Sequence, residues 1–200
     1  MSLAQISSRA LLGLQAPAVT VEAHLANGLP SVTLVGLVDT EVKEARERVR
    51  SAIQNSRLEF PHNKRITVNL APADLPKDSG RFDLPIALAI LAASGQIPAA
   101  ALHGHVFAGE LSLSGSLRRV HGALAMAAAL QQQGHAEPLV LPAGSAEEAA
   151  LVPGAHVLRA EHLLDVVRHF LPMQPQGRAD GAFADAPAHG LPVLQPAQHL

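Results

Sequence analysis

A lysine and a serine on one polar loop are the first candidates for chemistry in this chain. The loop carries Lys77, Asp78 and Ser79. It follows an alternating segment at residues 66–70 and precedes a helix that we expect to begin at Asp83, whose carboxylate can accept hydrogen bonds from the first turn. A hydroxyl at a helix N-terminus beside an amine can act as a nucleophile, and the same terminus can hold an anion. Because they are two residues apart, however, the side chains of Lys77 and Ser79 are expected to diverge.

Two other kinds of site find less support. The chain contains no G-x-x-x-x-G-K-[ST] motif and no Gly-Lys dipeptide, so we expect it to bind neither ATP nor Mg²⁺ by itself. Among its 11 histidines, the best metal-ligand spacings are His103 with His105 and His162 with His169. Acidic residues are not interleaved with them, and His162 and His169 are two helical turns apart. The sequence therefore predicts no metal site.

Positive charge is concentrated in the first half of the chain. Arg46 and Arg50 are four residues apart, a spacing that puts both on one face of a helix. Pairing of Glu44 with Arg48 and of Glu47 with Arg50 would instead make this face a solvated salt-bridge surface, and both interpretations stay open. The candidates for DNA contact are Lys43, Arg46, Arg50, Lys64, Arg65, Arg118 and Arg119.

Composition limits the class of protein. The 200 residues suit one domain, and the hydrophobic content of 48% supports a core built from aliphatic side chains, because aromatic residues make up only 2%. The formal net charge of −2 argues against a globally basic nucleic-acid binder. With no cysteine, no signal peptide and no apolar run long enough for a membrane span, we expect a cytoplasmic protein.

Hydrophobic periodicity predicts an α/β (α+β) domain with a mixed sheet packed by helices. The central element is the helix that begins at Asp83, because residues 86–91 leave it almost no polar face. Asn27-Gly28 predicts a hairpin to a returning strand at 31–37, and Ser145 with Glu148 predicts a capping box. The other predicted strands are in 1–15 and at 19–24, 66–70, 106–113, 116–120, 138–141 and 155–158, with helices at 40–56, 83–94, 122–133, 145–151 and 161–170. Residues 1–172 would form the domain, and residues 173–200 a linker or disordered tail.

Three long motifs resemble a known family. "VGLVDTEVKEARERVRSAIQNS", "PHNKRITVNLAPADLPKDSGRFDLPIALAILAASGQIP" and "FAGELSLSGSLRRVHGAL" are similar to the N-terminal domain of the ComM group, the YifB-like, magnesium-chelatase-related AAA+ proteins of bacteria. The resemblance covers most of the chain, roughly residues 12–171. It implies a Lon-peptidase-like, ribosomal-protein-like fold that precedes an ATPase module, and a role in DNA processing during natural transformation.

The resemblance also bears on catalysis. When the PKD loops are aligned, Arg81 stands where Lon-type peptidases have the serine. In the second signature, Gly109-Glu110 through Gly122, Leu124 stands where they have the lysine. The resemblance therefore implies a vestigial peptidase loop, with its positions at Lys77, Asp78, Ser79, Arg81 and Leu124.

The leading hypothesis is a non-catalytic domain that supports assembly and DNA engagement of a ring ATPase in recombination. By resemblance, the ATP and Mg²⁺ sites and the self-association into a ring would belong to an ATPase module outside this chain, and no membrane partner is expected. One alternative is a Lon-like serine peptidase with a rearranged dyad. Another is a protein-interaction scaffold related to magnesium-chelatase subunits.

Overall fold

The computed structural model describes residues 2–36, 40–75, 77, 80–134, 137–171 and 195–196, with only the backbone of residues 40–43 and 195–196. The described strands are β1 Leu3–Arg9, β2 Ala18–Ala26, β3 Ser31–Val35, β4 Arg65–Ala71, β5 Val106–Phe107, β6 Glu110–Leu111, β7 Leu117–Arg118, β8 Leu139–Pro142, β9 Val157–Ala160 and β10 Gln195–Pro196. The helices are α1 Thr40–Asn55, α2 Asp83–Ala93, α3 Ala99–Leu102, α4 Ala123–Gln132, α5 Ala143–Ala149 and α6 Leu163–Phe170, and a 3₁₀ turn, Gly80–Phe82, directly precedes α2.

The main sheet is mixed, as predicted, and its strand order is β10-β9-β8-β5-β1-β2-β4-β3. Strands β1, β2 and β4 are antiparallel neighbours. Strand β3 runs parallel to β4, and β1, β5, β8 and β9 form a parallel series. Antiparallel strands come first along the chain and alternating strands and helices follow, which is the α/β class that the sequence predicts.

Helix α2 lies at the centre of the core, as predicted. Its residues from Asp83 to Ala92 are all buried, and it packs against β1, β2 and α1. A helix with apolar side chains on every face would expose them to water unless neighbouring elements cover all of its sides. Such a helix therefore belongs in the core. Leu88 in its middle is fully buried.

The two faces of the sheet are covered differently. On one face α1, α2 and α6 form the larger core cluster, to which Val140 of β8 belongs. On the other face α4 and α5 cover Leu139 and Leu141 of the same strand. Strands β2 and β4 alternate between buried residues and partly or fully exposed ones. The antiparallel part of the sheet therefore has helices on one face only, whereas β8 is buried on both.

The predicted hairpin at Asn27-Gly28 is wrong. Strand β3 does follow these residues, but it pairs in parallel with β4 and not with β2. Strand β4 takes the place beside β2, with Val21 opposite Leu70. Asn27-Gly28 favours a turn only between neighbouring residues. Strand β4 is longer than β3, and its buried residues match those of β2 in register, so β4 pairs with β2 instead. Residues 36–37 of the predicted strand lie beyond the end of β3 or outside the described residues.

Two further predictions need correction. The strand expected at 106–113 is divided into β5 and β6, which belong to different sheets, and β6 pairs with β7. The capping box of Ser145 and Glu148 is absent because α5 already begins at Ala143. The Ser145 hydroxyl instead accepts from Val120 N–H at 2.9 Å and donates to Val120 O at 3.1 Å. It thereby joins α5 to the segment before α4.

The remaining predicted helices, and the strands at 66–70, 138–141 and 155–158, are present within a few residues of the expected ends. Of the predicted tail, the structure describes only Gln195–Pro196, which pair antiparallel with β9. The rest of that prediction lies outside the described residues. Within the described part of the chain, no helix combines the length and the hydrophobicity that crossing a lipid bilayer requires.

Candidate functional site

The loop between β4 and α2 holds its lysine in the protein interior. Lys77 is 1% exposed, and its Nζ donates a hydrogen bond to Pro72 O. Burial lowers the pKa of Lys77, and Asp74 acts in the opposite direction. Two other predicted members of the vestigial peptidase loop, Asp78 and Ser79, lie outside the described residues.

Arg81, at the position where the resembled peptidases have the nucleophile, belongs to the 3₁₀ turn before α2 and is 2% exposed. Its carbonyl accepts a hydrogen bond from Gly109 N–H at 2.9 Å, and Leu84 N–H donates to Gly109 O at 2.9 Å. These two bonds fix the start of α2 against the segment that leads into β6. A long cation is thus packed inside the protein at the position that would need an accessible hydroxyl.

Asp83 does not cap α2 as predicted. The N-cap is Phe82, with φ −86° and ψ −5°, and no side chain caps the helix there. The Asp83 carboxylate instead accepts from Arg48 Nε at 2.7 Å and Nη2 at 3.0 Å, a bidentate ion pair, and from Leu111 N–H at 3.1 Å. It points away from its own helix and joins α1, α2 and β6.

The charge state of this pair follows from its burial. Asp83 is 0% exposed, and burial raises the pKa of its carboxyl to about 6, although the hydrogen bonds from Arg48 and Leu111 favour the ionised form. The hydrogen bond to Asp83 is also the main reason why the pKa of Arg48 is raised. At neutral pH both groups are therefore ionised, and each side chain has its partner.

Glu110 extends this group of charges towards the surface. Its Oε1 lies 3.5 Å from Arg118 Nη1, across the β6–β7 pair. A Cβ at Gly80 would stand 2.7 Å from Glu110 Cγ, so only glycine fits there without displacing the carboxylate. The charged residues that meet at the start of α2 hold secondary-structure elements together. Their geometry is that of a structural junction.

Leu124, at the position of the peptidase lysine, is 45% exposed and lies at the beginning of α4. Its N–H donates to Glu148 Oε1 at 3.4 Å. Arg119 Nη2 contacts Oε2 of the same carboxylate at 2.9 Å. Glu148 thus accepts a hydrogen bond at the first turn of α4 and pairs with one of the predicted DNA-binding arginines.

Helix α1 directs its arginines in two directions. Arg46 and Arg50 are exposed, whereas Arg48 reaches Asp83 in the core junction. The pairings expected as an alternative, Glu44 with Arg48 and Glu47 with Arg50, are not the ones described: Arg46 Nε contacts Glu47 Oε1 at 3.1 Å. These two side chains are 50% and 64% exposed.

The exposed Arg50 lies over the ring of a buried phenylalanine, Phe60. Its guanidinium carbon is 5.9 Å from the centre of the Phe60 ring, and within the described part of the chain it forms no ion pair. The centres of the Phe60 and His62 rings are 5.7 Å apart. Arg50 of α1 therefore lies over the start of the segment that runs from Phe60 to Lys64 and Arg65.

The other predicted DNA contacts are placed as follows. Lys64 Nζ donates to Asn27 Oδ1 at 2.7 Å, and Arg65 is exposed beside Gly28. Arg118 and Arg119 are exposed but stand against carboxylates. The side chain of Lys43 lies outside the described residues. The structure thus places Arg50 over Phe60, Lys64 and Arg65 beside Asn27 and Gly28, and Arg118 and Arg119 against acidic partners.

The histidines considered as metal ligands have contacts of other kinds. His162 caps α6. Its ring Nδ1 accepts from the backbone N–H of Leu164 at 3.1 Å, and its backbone N–H donates to Asp165 Oδ2 at 2.9 Å. The His105 ring meets Phe170 edge to face at 4.8 Å. Burial lowers the pKa of His169, and His105 acts in the same direction. Among the described residues, no three histidine or acidic side chains converge as a metal site would require.

Comparison with known proteins identifies the family. The family profile described as subunit ChlI of Mg-chelatase matches residues 21–145. The chain belongs to the magnesium-chelatase-related family of ComM and YifB. It is 54% identical over 168 residues to the competence protein ComM of Haemophilus influenzae, and 50% identical over 163 residues to YifB of Escherichia coli. A protein of Mycobacterium tuberculosis is 40% identical over 157 residues.

The match to ComM covers 84% of this chain and 32% of ComM, and the match to YifB covers 82% of this chain and 32% of YifB. The chain thus spans about a third of the length of these relatives. The matched ChlI-type segment contains α1, the β4–α2 loop, α2 and β6. The Arg48–Asp83 junction therefore lies inside the segment that the ChlI profile matches.

Sequence reasoning missed the Arg48–Asp83 pair, although one signal could have revealed it. Arg48 is three residues after Ala45 and four before Ala52, and both of these alanines are fully buried. Residues at these spacings share a helix face, so Arg48 borders the apolar side of α1 and not the solvent side. An arginine at such a position needs a buried acceptor, and Asp83 is one.

Proposed function

We propose that this chain is a non-catalytic domain of a magnesium-chelatase-related AAA+ assembly, in which it supports assembly and engages DNA through the phosphate backbone. One observation carries the proposal: α1 uses Arg48 for the core junction and leaves Arg46 and Arg50 directed towards solvent. The relative from Haemophilus influenzae is named the competence protein ComM. We extend a competence role to this chain as part of the proposal.

The absence of catalysis in this domain is supported by how its charged groups are used. Serine–lysine chemistry needs an amine that can take the proton of a hydroxyl. Lys77 is instead buried against Pro72 O, Arg81 is buried in the 3₁₀ turn, and Asp83 is held by Arg48 and Leu111. Groups that already hold the fold together would have to break those contacts to act on a substrate.

The proposed mode of DNA binding is electrostatic and independent of sequence. Phosphate contacts require exposed cations, whereas stacking on bases requires exposed aromatic side chains. The chain has no Trp or Tyr. The phenylalanines that the structure describes are all buried, namely Phe60, Phe82, Phe107 and Phe170. Exposed arginines are therefore the groups that the described surface offers to a nucleic acid.

The net charge of −2 predicts weak binding by a single copy. Several copies held in one assembly would bind the same DNA together, and the resulting avidity can exceed the affinity of each copy by orders of magnitude. An assembly role and a DNA role are thus compatible in this domain. They can be separated by charge substitutions on α1.

The test is a fluorescence-anisotropy titration of labelled duplex DNA at low salt with the wild-type chain and two variants of equal net charge. Arg50→Glu alters the outward face of α1. Arg159→Glu makes the same change in charge on β9, where the arginine is 38% exposed and contacts Glu161. We expect Arg50→Glu to weaken binding at least tenfold and Arg159→Glu to weaken it less than threefold.

Equal losses in the two variants would mean that only net charge matters, and the proposed contact face would be wrong. Unchanged affinity in the double variant Arg46→Glu, Arg50→Glu, combined with loss of oligomers of the longer protein, would show that this face serves assembly. That outcome would favour the interaction scaffold over the DNA-binding domain.

A further inference from the structure

Strand β3 forms one edge of the main sheet, and no described strand pairs with its outer side. Its five residues, SVTLV, contain no charge and no proline. They alternate between exposed and partly buried, and Val32 and Leu34 pack against the larger core cluster. Leu29, just before the strand, is 89% exposed, and Val35 at its end is 41% exposed.

The parallel register with β4 determines which backbone groups face outward. Ser31 N–H donates to Lys64 O at 3.4 Å, and Ser31 is opposite Arg65. In a parallel pair every second residue directs both its N–H and its C=O to the neighbour. Ser31, Thr33 and Val35 therefore bond to β4, and Val32 and Leu34 direct their N–H and C=O groups away from it. In the part of the chain that the structure describes, no residue pairs with these outward groups.

Among the described residues, β3 itself has none of the features that usually prevent strand addition, and Pro30 directly precedes it. Natural edge strands are commonly protected by a lysine, a proline, a bulge or a covering segment. The other edge of this sheet, at β9, is paired with β10 of the same chain. Strand β3 is not paired in this way by any described residue, and its uncharged sequence does not oppose a second strand.

We propose that β3 pairs antiparallel with β3 of a second copy of this chain, about a twofold axis at Thr33. In this register Val32 of one copy is opposite Leu34 of the other. The twofold axis relates this pair to a second, identical pair of Leu34 with Val32. Both positions carry the outward N–H and C=O groups, so each pair exchanges two hydrogen bonds and all eight outward groups are satisfied. Thr33 is opposite Thr33 in the closer pair that exchanges no hydrogen bonds.

The same register also matches the side chains. Val32 and Leu34 lie on the helix-covered face, in register with Ile66 and Val68 of β4. Across the twofold axis they would meet the corresponding residues of the second copy, so the apolar layer would continue from one sheet into the other. Because only five residues take part on each side, we expect a weak, concentration-dependent dimer.

The absence of cysteine from the chain makes a crosslinking test direct. We would introduce Thr33→Cys or, as a matched control, Ser31→Cys into the 200-residue chain, since both positions are exposed on the same face of β3. Residues in the closer antiparallel pair have Cα atoms about 4.5 Å apart, within the range that a disulfide spans. Two copies of residue 31 would be about 14 Å apart in the proposed register, too far for that bond.

We expect mild oxidation to give a covalent dimer of the Thr33→Cys variant at least tenfold faster than of the Ser31→Cys variant. Equal rates would indicate random collision and would overturn the proposal. Failure of Thr33→Cys to crosslink at millimolar protein concentration would overturn it as well.

Sedimentation of cysteine-free variants provides a second measurement. Thr33→Lys places two like charges directly opposite each other at the axis, whereas Ser31→Lys places each lysine opposite Val35 of the second copy. We expect Thr33→Lys to raise the dimer dissociation constant at least tenfold and Ser31→Lys to raise it less than threefold. Equal effects of the two substitutions would contradict the register. The proposal would also be contradicted if the chain stayed monomeric and its Val32 and Leu34 amides became protected from hydrogen exchange only after an unrelated extended peptide was added.

Discussion

Removal of Arg48 should destabilise the domain far more than removal of its neighbour Arg46. In Arg48→Ala the Asp83 carboxylate, 0% exposed, loses its bidentate partner and stays in the core. Breaking a buried pair by deleting one member costs about 3–5 kcal/mol. Because the Arg48 side chain is itself 21% exposed, water can reach part of the site, and we expect the lower end, about 3 kcal/mol.

Urea denaturation of the purified chain measures this difference. With an m-value of about 2 kcal/mol/M, the midpoint should fall by about 1.5 M. Arg46→Ala is the matched control, since Arg46 and Glu47 are 50% and 64% exposed, and it should cost less than about 0.5 kcal/mol. The penalty of Arg48→Ala should shrink as the pH falls from 7.5 to 5, because Asp83 without its counter-ion takes up a proton more readily.

A loss below about 1 kcal/mol for Arg48→Ala would refute this reasoning, because a buried carboxylate cannot lose its counter-ion at so little cost. So would equal losses in Arg48→Ala and Arg46→Ala. A double-mutant cycle with Asp83→Asn adds a direct measure of the pair. We expect a coupling energy of at least about 1 kcal/mol between Arg48 and Asp83.

Three other predictions concern stability and catalysis. Leu88→Ala should lower the free energy of unfolding by about 2–5 kcal/mol, since the truncated side chain is fully buried; a loss below about 1 kcal/mol would place α2 outside the core. The Asp83 pKa is raised to about 6 from 3.8, so its contribution to stability is full below pH 3.8 and is lost as the pH rises through 6. Relative to Asp83→Asn, wild-type stability should fall by up to about 3 kcal/mol between pH 4 and 7.5, and a rise would contradict the sign. A serine-directed fluorophosphonate probe should not label the chain, and labelling at Ser79 would show an active nucleophile.

The local elements of this fold could be predicted from the sequence. The apolar run in α2 predicts burial on every side of that helix, and the structure agrees. The three- and four-residue steps of Val42, Ala45, Val49 and Ile53 predict the buried side of α1; the last three are buried, and the side chain of Val42 lies outside the described residues. The predicted α/β class with a mixed sheet is also confirmed. These signals depend on neighbours within two turns of chain, and such neighbours are visible in the sequence.

The errors arose where distant segments compete. Asn27-Gly28 favours a hairpin locally, but the place beside β2 goes to β4, about 40 residues later in the chain. Asp83 has the position and type of a helix cap, yet it binds Arg48, 35 residues earlier, and Leu111, 28 residues later. Ser145 likewise binds Val120 and not its own helix. A single sequence does not show these partners, because each depends on how the layers pack.

The number of DNA phosphates that the domain contacts can be measured from the salt dependence of binding. The slope of log K against log salt concentration reports the number of phosphates neutralised, about 0.9 per contact. We would measure it for the wild-type chain, for Arg46→Ala with Arg50→Ala, and for Arg159→Ala as a control. If Arg46 and Arg50 each contact a phosphate, the double variant should lose about 1.8 from the magnitude of the slope, and Arg159→Ala should leave it unchanged. A double variant with the wild-type slope would show that the outward face of α1 does not touch DNA.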